Sequence, residues 1–237
     1  MKRAFFNFLG DLDHFLPLVK RGTTVDCTFQ GNQSVKHLIE SLGIPHTEVG
    51  EILVNGQSVG FGYITQDGDQ IEVYPAAPGC PFEPCFLLDN HLGRLAAHLR
   101  MLGFDCLYRN DYADAELIEL IQREQRILLS RDRRLLMRKI VVFGYCPRSL
   151  DPIEQLKEVV RRFDLADKIT PFHRCLRCNG ALRPVSKEDV LHRLEPLTKK
   201  YFDEFRICPA CDRVYWKGSH YERMRKLIEE VKRTARS

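Results

Sequence analysis

Two pairs of cysteines, Cys175-x-x-Cys178 and Cys208-x-x-Cys211, constrain this chain more than any other feature of its sequence. Two residues between cysteines let both thiolates face one point from a tight turn, and Gly, Asn, Pro or Asp stands near each pair. Two such turns supply four soft ligands, the tetrahedral set that Zn²⁺ takes with thiolates. Four protein ligands leave no open position. A zinc ion on Cys175, Cys178, Cys208 and Cys211 is therefore expected to hold a fold rather than to catalyse. The 29 residues between the pairs exceed what a short ribbon needs, and KEDVLHRLEPLTKKYF within them reads as a helical excursion.

The other five cysteines (Cys27, Cys80, Cys85, Cys106 and Cys146) are scattered and read as small hydrophobes or incidental thiols. An odd total of nine argues against a disulfide framework. MKRAFFNFLGDLDHF carries acids close to its short apolar patch, unlike a signal peptide, and no apolar run approaches the ~20 residues that span a bilayer. The expectation is a cytoplasmic protein with no membrane partner.

In the first 75 residues, strand patterns at 2–8 and 23–30 precede SVKHLIESLG, a helix with Ser34 as N-cap and Gly43 as its stop. EILVNGQSV then carries strand residues around an Asn55-Gly56 turn, and Asp67-Gly68 leads into the strand QIEVY. This is the order of a ubiquitin-like β-grasp. ILVNGQ and DGDQIEVYP resemble the sulfur-carrier and ubiquitin-like families. Those carriers end in a free Gly-Gly tail, whereas this strand runs on into AAPGCPFEPC, so carrier chemistry is not expected.

PAAPGCPFEP, 75–84, reads as a linker, and strands and helices alternate after it. FLL ends at Asp89, and HLGRLAAHLRMLG has apolar residues at helical spacing, with Gly103 closing it. FDCLYR, RILLS and IVVFGY read as further strands. DAELIELIQREQ, the short DRRLLMRK and PIEQLKEVVRRF read as helices, the last with Asp151 as N-cap and Pro152 at N1. Strands separated by helices of about ten residues point to a parallel three-layer α/β/α sheet.

Ligands of such sheets bind beyond the C-terminal strand ends. Asp89 ends the first of these strands, Asp111 and Asp114 follow the second with Glu116 close behind, and Asp132 lies just past the third. Carboxylates gathered at one edge repel one another and are neutralised by Mg²⁺ or Mn²⁺. The same acids also stand where helices begin, and Asp is a common N-cap. Both readings stand at this point, and the two roles are compatible.

FLLDNHLGRLAAHLRMLGFDCLYRNDYADAELI and RILLSRDRRLL resemble the PIN-like RNase domain family named for the C-terminal region of Mutator-type exonucleases. Its prokaryotic members carry a C-terminal zinc ribbon, similar to HRCLRCNG and FRICPACDRVYWKGSHYERM here, and some carry an N-terminal ubiquitin-like domain. The resemblance implies a β-grasp over 1–78, a PIN-like nuclease over 84–170, and a ribbon with a basic helix over 171–237. It implies that Asp89, Asp114 and Asp132, with Glu116 as a fourth, hold Mg²⁺ or Mn²⁺ for RNA hydrolysis. Asp111 and Asp151 are weaker matches. Arg131, Arg133, Arg134, Lys217 and His220 are the expected RNA contacts.

Charge is uneven along the chain. Residues 1–80 hold five Lys/Arg against nine Asp/Glu, a net of −4, and residues 171–237 hold sixteen against nine, a net of +7. The basic C-terminal part suits a polyanion. The acidic β-grasp is expected to repel RNA and so to contact a protein partner or gate the substrate. The functional expectation is a metal-dependent ribonuclease. Its alternative is a non-catalytic RNA- or ribosome-binding adaptor whose acids only cap helices.

Overall fold

The computed structural model describes residues 1–235. The expected ribbon segment ran to 237, and its last two residues lie outside the described ones. Strands β1 (Lys2–Phe8) and β2 (Val25–Phe29), helix α1 (Val35–Ser41), and strands β3 (Val49–Val54), β4 (Gln57–Ser58) and β5 (Gln70–Pro75) come first. They form a five-stranded sheet in the order β2-β1-β5-β3-β4. The first strand is antiparallel to β2 and parallel to β5, while β3 runs antiparallel to both its neighbours. This is the ubiquitin-like β-grasp.

Its register follows from alternation. Ala4, Phe6 and Phe8 of β1 face inward with Val25, Cys27 and Phe29 of β2, and α1 presents Val35, Leu38 and Ile39 to that core. Ser34 accepts from the His37 amide at 3.2 Å, as its N-cap position requires. Asn55 and Gly56 both adopt positive φ, the conformation that a tight hairpin demands.

Beyond the linker follow β6 (Cys85–Leu88), α2 (Gly93–Met101), β7 (Asp105–Leu107), α3 (Asp114–Arg123), β8 (Ile127–Leu129), α4 (Arg133–Leu136), β9 (Gly144–Tyr145) and α5 (Pro152–Arg162). Strands β6 and β7 pair in parallel, as do β8 and β9. Phe86, Leu87 and Leu88 are fully buried, and so are Ile127, Leu128 and Leu129. Such continuous apolar runs mark strands covered on both faces. The fourth strand is shorter than IVVFGY suggests. Residues 140–143 lie outside it because the Val141 amide donates to the Arg138 carbonyl and closes a turn, leaving Val142 exposed.

The C-terminal part contains β10 (Arg183–Val185), α6 (Lys187–Val190), α7 (Pro196–Tyr201), β11 (Phe205–Ile207), β12 (Val214–Trp216) and α8 (Ser219–Ala235). The three strands form an antiparallel sheet in the order β10-β11-β12, packed on Val190, Leu194 and Phe205. The helical excursion expected between the cysteine pairs is α6 and α7.

The chain forms two compact units. One comprises residues 1–77 and 113–148, and the other 78–112 with the chain from 149 onward. In the first, Glu48 is buried, accepts from the Cys146 amide at 2.6 Å and pairs with Arg148 at 2.8 Å. His46 bridges Glu40 and the Val141 carbonyl at 2.7 and 2.9 Å. In the second, α5 packs on α2 and α8 through Leu156, Val159 and Val160. Gly103 has φ +101°, and a Cβ there would lie 2.0 Å from the Thr170 carbonyl oxygen, so only glycine fits.

Candidate functional site

Each cysteine pair sits on the same turn. In the first, the Asn179 amide donates to the Cys175 carbonyl at 3.0 Å, and the Cys175 amide donates to the Gly180 carbonyl at 2.8 Å. In the second, the Asp212 amide donates to Cys208 at 2.8 Å, and the Cys208 amide to Arg213 at 2.9 Å. Asn179 and Asp212 take positive φ at equivalent positions, where short polar side chains tolerate it. The turns bring all four sulfurs within 4.8 Å of one another. Cys175 lies 3.4 Å from Cys211, and Cys178 lies 3.4 Å from Cys208. Tetrahedral Zn–S bonds of about 2.3 Å space neighbouring sulfurs about 3.8 Å apart. The four cysteines can thus hold one metal ion. Among the described residues, no other three potential His, Cys, Asp or Glu ligands lie so close together.

Neighbouring groups prepare one of the four thiolates. Burial opposes ionisation of Cys175, but the Tyr215 hydroxyl, 3.1 Å away, and the Cys178 and Arg177 amides outweigh it and lower the thiol to about 6. The first knuckle is also tied to its own unit. Asn179 accepts from the Cys106 amide at 3.0 Å and donates to Asp105 at 3.0 Å. Arg100, itself buried, donates to the carbonyls of Leu176, Arg177 and Cys106.

The acids have separate local surroundings. Asp89, 4 % exposed, directly follows β6 and accepts from the His91 amide at 2.9 Å, capping a single 3-10 turn. Asp132 lies three residues beyond β8 and is exposed. Its Oδ1 accepts from the Arg134 and Leu135 amides at 2.8 and 3.4 Å as the N-cap of α4. Its Oδ2 has no protein donor among the described residues. Asp114 is the first residue of α3 rather than its cap, which is Ala113, and its exposed carboxylate has no partner there. Glu116 reaches back to the Ala113 amide at 2.9 Å. Asp111 accepts from Nε and Nη2 of Arg109, each at 2.9 Å, which pulls its carboxyl below the usual range. Asp151 caps α5 through the Ile153 and Glu154 amides.

The ribbon and α8 enclose a cavity of about 840 Å³. Aromatic rings of Phe172, Tyr215, Trp216 and Tyr221 line it alongside Arg174, Arg206 and Arg225. Phe172 and Tyr221 lie 4.6 Å apart between ring centroids. Lys217 also lines it and pairs with Glu204 at 2.5 Å, while His220 is exposed at the start of α8.

Both parts of the chain match known families. Residues 84–228 match the Mut7-C RNAse domain, and residues 1–79 match the Mut7-C ubiquitin domain. The chain belongs to the Mut7-C RNAse domain family. No curated protein and no solved structure matches it. Membership of the Mut7-C family points to a nuclease-like function and to RNA as the partner. Among the described residues, no helix is long and apolar enough to cross a membrane.

Sequence reasoning missed the groups that surround the cysteine cluster. Tyr215 and Asn179 stand beside the cysteine cluster, and the Asn-Gly following the first pair was the only sequence signal for the second of these. Arg131 and Arg133 line a second cavity, with Arg21 and Arg148, which no spacing in the sequence links. Arg134 is exposed.

Proposed function

We propose that this chain is a metal-dependent ribonuclease of the PIN-like type. The observation that carries the reading is the position of Asp89 and Asp132. Each follows the C-terminal end of a parallel-paired strand, inside a segment that matches an RNase domain. Asp89, Asp114 and Asp132, with Glu116 two positions after Asp114, would hold Mg²⁺ or Mn²⁺. Their hard oxygen donors suit these ions, and Asp132 and Asp114 each keep a carboxylate oxygen that no protein donor among the described residues occupies. Such an ion would supply Lewis-acid activation of water and neutralise charge on the scissile phosphodiester. The protein's own part is to fix the carboxylates. Burial and the His91 amide hold Asp89, and the first turn of α4 holds Asp132.

The cysteine cluster takes a structural zinc ion in this reading, because four thiolates leave no place for a substrate. The aromatic and basic cavity between the ribbon and α8 suits single-stranded RNA, whose bases stack on rings while arginines meet phosphates. Binding there should weaken steeply with salt.

A non-catalytic RNA-binding adaptor is favoured by one observation, namely that Asp89 and Asp132 already serve as caps. Labelled single-stranded and structured RNAs, incubated with Mg²⁺ or Mn²⁺ and then with EDTA, decide between the two. Metal-dependent cleavage lost in Asp132→Asn supports the nuclease. RNA binding that is indifferent to metal, with no cleavage by either protein, supports the adaptor.

A further inference from the structure

The compact unit formed by residues 1–77 and 113–148 contains a cavity of about 340 Å³ that neither the zinc cluster nor the acids explain. Its walls include His14, Phe15 and Arg21 from the β-grasp, and Arg131, Arg133 and Arg148 from the nuclease segment. Arg131 and Arg133 flank Asp132 in the chain.

The arginines differ in how their charge is answered. Arg148 is paired with Glu48 at 2.8 Å and Asp11 at 3.1 Å. Arg21 donates to the carbonyls of Leu16 and His14 at 3.2 and 3.0 Å, and Arg133 donates to the Phe15 carbonyl at 2.8 Å. Neither Arg21 nor Arg133 has a carboxylate within ion-pair distance among the described residues. The Phe15 ring lies against two guanidiniums, 4.9 Å from that of Arg133 and 4.7 Å from that of Arg148. Ring and carbonyls thus hold the forks in place before any ligand arrives, which lowers the ordering cost of binding. Positive charge that is concentrated, preorganised and incompletely answered inside a concave site is complementary to a phosphate.

We propose that this pocket holds a phosphate of the RNA backbone and that the β-grasp domain, through Arg21 and the turn bearing Phe15, supplies half of it. The identity of the ligand rests on the ribonuclease reading. The acidic average of the N-terminal domain is then no guide to its role, because one of its few basic residues faces the cavity. The pocket would seat a phosphate close in sequence to Asp132, so the β-grasp would help position the strand to be cut.

The test uses the full chain carrying Asp132→Asn, which prevents cleavage, and follows binding of a labelled single-stranded RNA by fluorescence anisotropy across a salt series. Adding Arg21→Gln is expected to weaken binding roughly tenfold and to lower the salt slope by about one. Arg21→Lys, which keeps the charge but loses the fork, is expected to fall between; it also serves if the Gln variant does not fold. Unchanged affinity and slope in the folded variants overturn the pocket while leaving the nuclease standing, provided the parent chain with Asp132 intact cuts RNA. Absence of both cleavage and RNA binding in the parent chain overturns both. Inorganic phosphate forms a further arm. If it raises the Tm of the parent chain but not of Arg21→Gln, while RNA affinity is equal in both, the site takes free phosphate and the RNA assignment falls.

Discussion

The cysteine knuckles and the acidic strand ends represent two ways of building a site. In each knuckle the ligands are three positions apart, and a single turn with fixed hydrogen bonds aims both at one point. The acids lie 25 and 18 residues apart in sequence, from Asp89 to Asp114 and on to Asp132. Two of them have a helix-starting job already. A ligand set written into one turn has no other task, so losing a member has one meaning. An acid at a strand end serves the backbone as well, and only a substitution that keeps the cap separates the two roles.

The largest effect is expected at the knuckles. Cys208→Ser should abolish stoichiometric zinc and unfold the ribbon, since structural zinc contributes on the order of 10 kcal/mol to such small modules. Metal analysis and limited proteolysis of the chain from residue 171 onward check this, and a ribbon that stays protected without metal would break the comparison.

Asp132→Asn sharpens it from the other side. Asn caps about as well as Asp, so stability should change by less than about 0.5 kcal/mol. Cleavage should fall by roughly a thousandfold if the second oxygen of Asp132 serves the metal. Asp132→Ala should add about 1 kcal/mol of lost capping, read as a shifted urea midpoint.

Glu48 provides the reference for a buried, paired carboxylate. It neutralises Arg148, whose charge burial opposes but which Glu48, Tyr145 and Asp11 hold firmly protonated. Glu48→Gln should destabilise the chain by about 3 kcal/mol and lower Tm by roughly 6–12 °C.

The smallest effect concerns pH. Burial lowers the pKa of His98 from its ordinary 6.5 and outweighs the Pro152 carbonyl and Asp151, which act to raise it. Its Nδ1 is buried without a hydrogen-bond partner. The unfolded chain takes up the proton first, so the stability held above pH 6.5 declines as pH falls below it. Urea midpoints at pH 7.5 and 5.5 should differ less in His98→Phe than in the parent.

How much of this was legible in the sequence depends on range. The β-grasp, the parallel pairing and the caps Ser34 and Asp151 follow from alternation, spacing and residue type within a few positions. Of the two readings open for Asp114, the cap does not hold: one position decides whether Asp precedes a helix or opens it, and Asp114 opens α3. IVVFGY has the apolar content of a full strand, yet a main-chain turn at Arg138–Val141 claims its first half. The contacts of Glu48 and the lining of the arginine pocket join residues about 100 positions apart. No local pattern records such pairings. Likewise, the burial of Cys146, whose thiol is pushed up to about 11 by burial and Glu48, marks it as inert only once its neighbours are known.

One consequence concerns biosynthesis. The stretch that completes the first compact unit ends about 70 residues after the β-grasp, and at 5–20 residues per second a ribosome needs roughly 4–14 s to make it. Until Arg148 emerges, Glu48 stands in water rather than in a core. The β-grasp is therefore an early product that waits, and its closing contact is made late, when the nuclease segment returns to it. A chain stalled in that interval would display its Glu48 side to whatever surveys nascent polypeptides.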